Sequence, residues 1–146
     1  MINRDNGNVT FPGLEAAIGP SLTRAQFLQT LVAAVSSVGA RNEPWCSYRL
    51  PNVPQPETIL CLSLQFHGER LESLNLFHNA ARFGASWDWD DWSEERELAR
   101  KSFHEHWLVT KLGVALKRYS WGEISSNYDA KGGSSSITIR YAKQNM

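Results

Sequence analysis

The sequence has few cysteines and no long apolar run, and both features restrict the class of protein. Its two cysteines, Cys46 and Cys61, are too few for a disulfide framework, and their spacing matches no zinc-binding pattern. We expect both to be small buried side chains in neighbouring strands, with a single disulfide as the alternative. No uninterrupted apolar run approaches the ~20 residues that a transmembrane helix needs, so we expect no membrane span.

The chain also lacks an excess of charge of either sign. Lys and Arg together number 15, as do Asp and Glu, so the formal net charge is zero. A general nucleic-acid binder needs surplus cations to neutralise phosphates, and we therefore expect no nucleic-acid partner. The first eight residues are polar and contain no apolar core of a secretory signal, so the expected location is the cytoplasm.

Low-complexity tracts and internal repeats are absent as well. With 146 residues, 42% hydrophobic and 21% charged, the chain is long enough to bury a core and is not globally disordered. We therefore predict one globular domain over residues 1–146, in which residues 1–10 are flexible.

Two stretches have the periodicity of amphipathic helices. The first is predicted over about residues 22–38, because Thr23 and Gln26 have the spacing of a capping box and apolar residues follow at helical intervals. Its expected core-facing side chains are Phe27, Leu28, Leu31, Val32, Val35 and Val38. The second is predicted from an N-cap at Ser93 to about residue 116. Its expected inner face consists of Leu98, Phe103, Trp107, Leu108 and Leu112.

Strands are indicated where apolar and polar residues alternate. Residues 59–66 and 71–77 alternate and are separated by a short turn, which predicts a β-hairpin. Further strands are predicted over about 43–50, 119–128 and 135–141. The predicted fold class is therefore α+β, an antiparallel sheet of about five strands with two amphipathic helices packed on one face, in the order α-β-β-β-α-β-β.

Motifs that would indicate catalysis are missing. The run His104-Glu105-His106 places its histidines two residues apart, about 200° around a helix, where they cannot share a metal ion. We expect these histidines to be solvated or to cap a helix. The sequence contains no nucleophile elbow. The run Lys131-Gly132-Gly133 is typical of a hairpin turn rather than of a phosphate loop. We therefore predict no catalytic residues, no metal and no cofactor.

The most unusual segment is rich in tryptophan and acidic residues. Residues 88–97 hold six of the acids and one arginine, a local charge of −5 that the neutral total conceals. In one interpretation the acids simply favour a helix start and the tryptophans pack on the core. In the other, the segment binds a basic partner, because acidic patches steer association and aromatic anchors supply binding energy. The predicted partner-binding residues are Trp87, Asp88, Trp89, Asp90, Asp91, Glu94 and Glu95.

A second functional hypothesis concerns aromatic residues of the strands. Trp45, Tyr48, Trp121 and Tyr128 could line a cleft on the sheet face, as in a small-ligand-binding or enzymatic α+β domain. Such a site would have a well-formed pocket with convergent polar groups and a perturbed ionisable residue. A subunit of a larger assembly is a third possibility that the sequence leaves open.

Four runs of this sequence together resemble a group of small bacterial proteins that are similar to immunity proteins. These runs are Leu22-Thr23-Arg24-Ala25-Gln26-Phe27-Leu28, Trp87 to Glu97, Trp121-Gly122-Glu123-Ile124-Ser125-Ser126-Asn127-Tyr128-Asp129 and Ser134-Ser135-Ser136-Ile137. The resemblance covers about residues 20–142. Immunity proteins are cytosolic and neutralise a toxin delivered by neighbouring bacteria. The resemblance implies a cognate toxin as partner, with a basic active-site cleft that the acidic segment would occlude without catalysis.

Overall fold

The computed structural model describes residues 2–12, 17–80, 93–110, 117–129 and 134–142. Within these residues the helices are α1 (Arg24–Leu28), α2 (Leu31–Ala34) and α3 (Glu94–Thr110). The strands are β1 (Ser37–Asn42), β2 (Trp45–Arg49), β3 (Val53–Pro54), β4 (Ile59–His67), β5 (Arg70–Asn79), β6 (Lys117–Tyr119), β7 (Gly122–Asp129) and β8 (Ser134–Tyr141). They form one antiparallel sheet in the order β1-β2-β4-β5-β8-β7-β6, with β3 beside β4. The α+β class is confirmed, but the sheet has eight strands rather than about five.

The predicted hairpin is confirmed as β4 and β5, the centre of the sheet. Apolar residues at alternate positions of β4 are buried, namely Leu60, Leu62, Leu64 and Phe66. A bulge opposite Gln65 and Phe66 shifts the register, so that Ser73 and Leu74 of β5 are buried in succession. Because both strands bury the same face, they fix the side on which the helices pack.

The last two predicted strands are also present, as β7 and β8. Ile137, Ile139 and Tyr141 point into the core together, as the alternation indicates. Gly122 opens β7 with φ +153°, and a Cβ atom there would lie 2.0 Å from the carbonyl oxygen of Arg140. Only glycine allows β7 to approach β8 so closely at this point.

The first predicted helix is too long, and the structure divides it. Thr23 closes the expected capping box, accepting a hydrogen bond from the Gln26 N–H (3.1 Å) while the Gln26 side chain accepts from the Thr23 N–H (3.0 Å). The helix ends after Leu28, because the Thr30 hydroxyl donates to the Phe27 carbonyl and accepts from the Ala33 N–H, capping a second short helix. Strand β1 then begins at Ser37, inside the predicted helix.

The second predicted helix is confirmed from its N-cap onwards as α3. The Ser93 hydroxyl accepts a hydrogen bond from the Arg96 N–H at 3.1 Å. Trp107 and Leu108 are buried as expected, whereas Leu98 is exposed and therefore does not belong to the inner face. Leu112 lies outside the described residues. None of the helices that the structure describes is long and apolar enough to cross a membrane.

Both helical parts lie on the buried face of the sheet. Phe27 of α1 packs against Tyr48 and Phe66, with ring centroids 5.1 and 5.9 Å apart. Trp107 of α3 stacks on Phe11. Ile2 and Val9, which belong to the N-terminal segment, are buried in this core. Helices thus pack on one face of the sheet as predicted, but the described residues form three of them rather than two, and the order of the elements differs from the predicted one. Residues 2–12, which we call the N-terminal arm, lie beside them.

Candidate partner-binding surface

The predicted partner-binding residues fall partly within the described structure. Trp87, Asp88, Trp89, Asp90 and Asp91 lie outside the described residues. Glu94 and Glu95 form the first turn of α3, where both side chains are exposed. Carboxylates favour this position because the first turn carries the positive end of the helix dipole. Neither forms a salt bridge with another described residue, so both charges face solvent.

These carboxylates lie beside the end of β7. The pKa of Tyr128 is raised, first by partial desolvation and then by the negative charges of Glu94, Glu97 and Asp129. Helix α3 therefore begins where β7 ends and β8 starts. We call Glu94, Glu95 and Asp129 the acidic corner; all three side chains are exposed.

The third acid of this turn has a different role. Glu97 is buried and bonds the Arg100 guanidinium at 2.5 Å, while its other carboxylate oxygen accepts from the Ser135 N–H at 3.0 Å. The Ser135 hydroxyl also donates to the Glu97 carbonyl at 2.6 Å. Arg100 lies over the ring of Phe77, 5.9 Å from its centroid. These contacts attach α3 to β8 and β5, and they orient the acidic corner.

A pair of histidines lies deeper in the same interface. His78 of β5 and His104 of α3 are both fully buried, with ring centroids 5.3 Å apart. Nε2 of His104 accepts a hydrogen bond from the backbone N–H of His78 at 3.0 Å. Both nitrogens of the His78 ring, and Nδ1 of His104, have no partner among the described residues. The expectation that His104 is solvated or caps a helix is therefore wrong, although His106 is exposed.

Burial determines the protonation of this pair. Desolvation lowers the pKa of His78 to about 4. Desolvation, followed by the neighbouring His78 and Arg100, lowers the pKa of His104 to about 3. Both rings are therefore neutral at pH 7. The part of the chain that the structure describes contains no cluster of three or more potential metal ligands.

The two cysteines are free thiols on neighbouring strands. Cys46 of β2 is buried, as expected, whereas Cys61 of β4 is only half-buried. Cys46 pairs in register with Phe66 on the buried face, and Cys61 lies on the opposite face of the sheet. They are not joined by a disulfide.

The hypothetical aromatic cleft is not assembled. Tyr48 is in β2, while Trp121 and Tyr128 belong to the β7 region, and three strands separate β2 from β7. Neighbouring strands lie ~4.8 Å apart, so β2 and β7 are separated by about 19 Å across the sheet. Tyr48 and Trp121 are also buried, and Trp45 points to the face opposite Tyr48. A cavity of about 460 Å³ does adjoin Trp121, but its other lining residues belong to the N-terminal arm and to residues 20, 21 and 120.

An exposed apolar patch occupies the other end of the sheet. Leu28, Leu31, Val35 and Val38 are 52%, 76%, 69% and 57% exposed, respectively. We call these four residues the apolar edge patch. The prediction that these four residues face the core is wrong. Helical spacing alone does not distinguish a stripe that packs on the sheet from one that overhangs its edge. Phe27 alone of that stripe is buried.

The similarity of this chain to known proteins lies in its fold. No family model matches the chain, and no curated protein matches it in sequence. Among solved structures, the fold is similar to that of the immunity protein in the complex described as "Rhs1-CT in complex with cognate immunity protein RhsI1". The TM-score is 0.64 over 96% of this chain and 85% of that chain, at 14% sequence identity. The resemblance to immunity proteins is thereby confirmed at the level of the fold.

Proposed function

We propose that this chain is an immunity-type protein that binds a bacterial toxin and neutralises it by occluding the toxin's active site, without catalysis of its own. The observation that carries the proposal is the likeness of fold to RhsI1, which extends over nearly the whole chain. That protein is described as a cognate immunity protein in complex with Rhs1-CT. A bacterial source and action in the cytoplasm are parts of the proposal.

The acidic corner supports a partner with a basic cleft. Glu94 and Glu95 are exposed, and the sequence immediately before them is acidic and rich in tryptophan. Exposed carboxylates of one sign attract a basic surface over about 8–10 Å at physiological salt, which accelerates encounter. The predicted contact residues from Trp87 to Glu95 are accordingly part of this proposal.

Co-expression with the product of the adjacent gene tests the function. We expect that product to arrest growth in cells that lack this chain, and growth to recover when the chain is present. The two proteins should then purify together as a defined complex. A harmless neighbouring product, together with no complex, would contradict the proposal.

Charge reversal tests the acidic corner within that complex. Replacing Glu94 and Glu95 by Lys should slow association about tenfold or more at low ionic strength, with little change in dissociation, because exposed charges act mainly on encounter. The effect should shrink at high salt. Stopped-flow or surface-plasmon measurements against salt concentration provide the readout.

A matched variant controls for net charge. Asp5 is also exposed but lies in the N-terminal arm. Asp5→Lys should change association much less than Glu94→Lys, which alters the net charge equally. Equal effects of the two single variants would remove the acidic corner from the interface.

A further inference from the structure

The two halves of α3 are attached to the sheet in different ways. The buried side chains of the helix are Glu97, Arg100, His104, Trp107 and Leu108. The first three belong to residues 94–104 and are polar, whereas the last two are apolar. In the first half, Leu98 is exposed and Phe103 is only partly buried. Hydrogen bonds and one ion pair therefore hold the first half of α3, while burial of apolar surface holds the second half.

The ring of His104 attaches the end of the first half to β5. Its Nε2 accepts the hydrogen bond from the His78 backbone N–H at 3.0 Å, so the proton of the neutral ring is on Nδ1. A second proton can bind only at Nε2. There it would set two donors against each other, the ring N–H of His104 and the backbone N–H of His78. Protonation of His104 therefore breaks the hydrogen bond that joins α3 to β5.

The ring of His78 is equally unable to hold a second proton in place. Neither of its nitrogens has a hydrogen-bond partner in the part of the chain that the structure describes, and neither has Nδ1 of His104. The His78 ring is fully buried and lies against the rings of Phe103 and Trp107. An imidazolium at this position would have a buried charge without a counter-ion and N–H donors without acceptors.

The charged groups around the pair do not compensate an added proton. Arg100 lies one turn before His104, and its positive charge opposes a second cation there. The carboxylate of Glu97 is engaged by that guanidinium, and Lys101 and Glu105 form a partly exposed ion pair with each other. The described residues that adjoin the pair or face inward from β4, β5, β7 and β8 carry no charge between pH 5 and 7.5, namely Leu60, Asn79, Ser126, Tyr128, Ser135 and Ile137.

We infer that protonation of His78 and His104 detaches the first half of α3, residues 94–104, from the sheet while the strands remain folded. The open form would bind two protons that the closed form excludes, because the departure of His104 and Phe103 uncovers His78 as well. Glu94 and Glu95 would move with this half of the helix. The acidic corner would then be separated from Asp129, which stays at the end of β7. This inference concerns the chain alone and does not depend on the proposed function.

Hydrogen exchange of the free protein at low urea concentrations tests the inference. After correction for intrinsic rates, amides of residues 98–104 should lose protection by about a hundredfold or more between pH 7.5 and 5.0, because each histidine contributes about thirtyfold at pH 5. Protection in this half of α3 should also depend on urea less than half as steeply as protection of the Leu62 and Leu64 amides in β4. A shallow dependence indicates that little surface is exposed, as in a local opening.

Variants assign the proton uptake to the pair. When His78→Met and His104→Gln are combined, the change in α3 protection over the same pH range should shrink to less than about tenfold. His106→Gln is the matched control, since His106 is exposed on the same helix, and it should leave the change as large as in the wild type. His104→Gln alone serves if the double variant does not fold, and it should leave a change of about thirtyfold.

Three results would overturn the inference. Equal urea dependence for the α3 and β4 amides would show that α3 leaves the sheet only when the whole protein unfolds. Protection in α3 that is the same at pH 7.5 and 5.0 would show that protons do not open the helix. A loss of protection that persists undiminished in the histidine variants would assign the proton uptake to other groups.

Discussion

Acidification from pH 7.5 to pH 5.0 should destabilise the protein by about 4 kcal/mol through two buried histidines. His78 and His104 have pKa values of about 4 and about 3 in the folded state, against about 6.5 in an unfolded chain. At pH 5 the unfolded chain therefore binds two protons that the folded protein does not. Each histidine that is protonated only in the unfolded chain lowers the free energy of unfolding by about 2 kcal/mol at this pH.

The sign and the pH window follow from the lowered values. A histidine held neutral in the folded state contributes no penalty above pH 6.5, where the unfolded state is neutral too. Stability then falls as the pH drops below 6.5, and it continues to fall until the folded-state values near 4 and 3 are reached. Denaturant titrations at half-unit pH steps would measure this loss.

Single variants divide the effect between the two rings. His78→Met and His104→Gln should each remove about half of the pH dependence between pH 7.5 and 5.0. Glutamine retains an acceptor that can reach the His78 N–H, and methionine fits an apolar site bounded by Phe103 and Trp107. His106→Gln removes an exposed histidine as the control. An identical pH profile for the wild type and the double variant would contradict the assignment to this pair.

The parts of the fold that the sequence predicts are those where local and tertiary preferences agree. The alternation over Ile59–His67 corresponds to β4 because both the pleat and the core require it. The capping box at Thr23 is local and forms as predicted. In residues 30–38, by contrast, helical periodicity competes with a second N-cap at Thr30 and with the pairing of β1 on β2. The pairing of β1 with β2 determines the structure at the end of this segment, and a single sequence does not reveal that pairing.

The site is predictable to a smaller extent for a similar reason. The acids at the start of α3 are recognisable, and Glu94 and Glu95 are exposed as a contact surface requires. The sequence does not distinguish Glu97 from them, because its burial depends on the approach of Ser135, 38 residues later. The apolar edge patch likewise has the pattern of a core stripe. Only the position of β1 at the edge of the sheet shows that this stripe is uncovered.

Truncation of Glu97 should destabilise the protein far more than truncation of its neighbours on α3. Glu97→Ala removes the carboxylate that pairs with the buried Arg100 and accepts from the Ser135 N–H. The guanidinium stays buried while it loses this carboxylate, and breaking a buried ion pair by removing one partner typically costs about 3–5 kcal/mol. Equilibrium unfolding in urea at pH 7.5 would measure the change.

Three further variants identify the cause of that loss. Glu95→Ala, at an exposed position two residues earlier, should change stability by less than about 0.5 kcal/mol. Glu97→Gln keeps an acceptor for the Ser135 N–H and should lose less stability than Glu97→Ala, since only the charge is removed. Combining Glu97→Leu with Arg100→Met removes both charges and should recover much of the stability, because a buried ion pair is often replaceable by apolar residues of similar volume. If Glu97→Ala were as stable as Glu95→Ala, the contact between α3 and β8 would not depend on this ion pair, and the position of the acidic corner would have to rest on the remaining contacts, among them the bond from the Ser135 hydroxyl to the backbone carbonyl of residue 97.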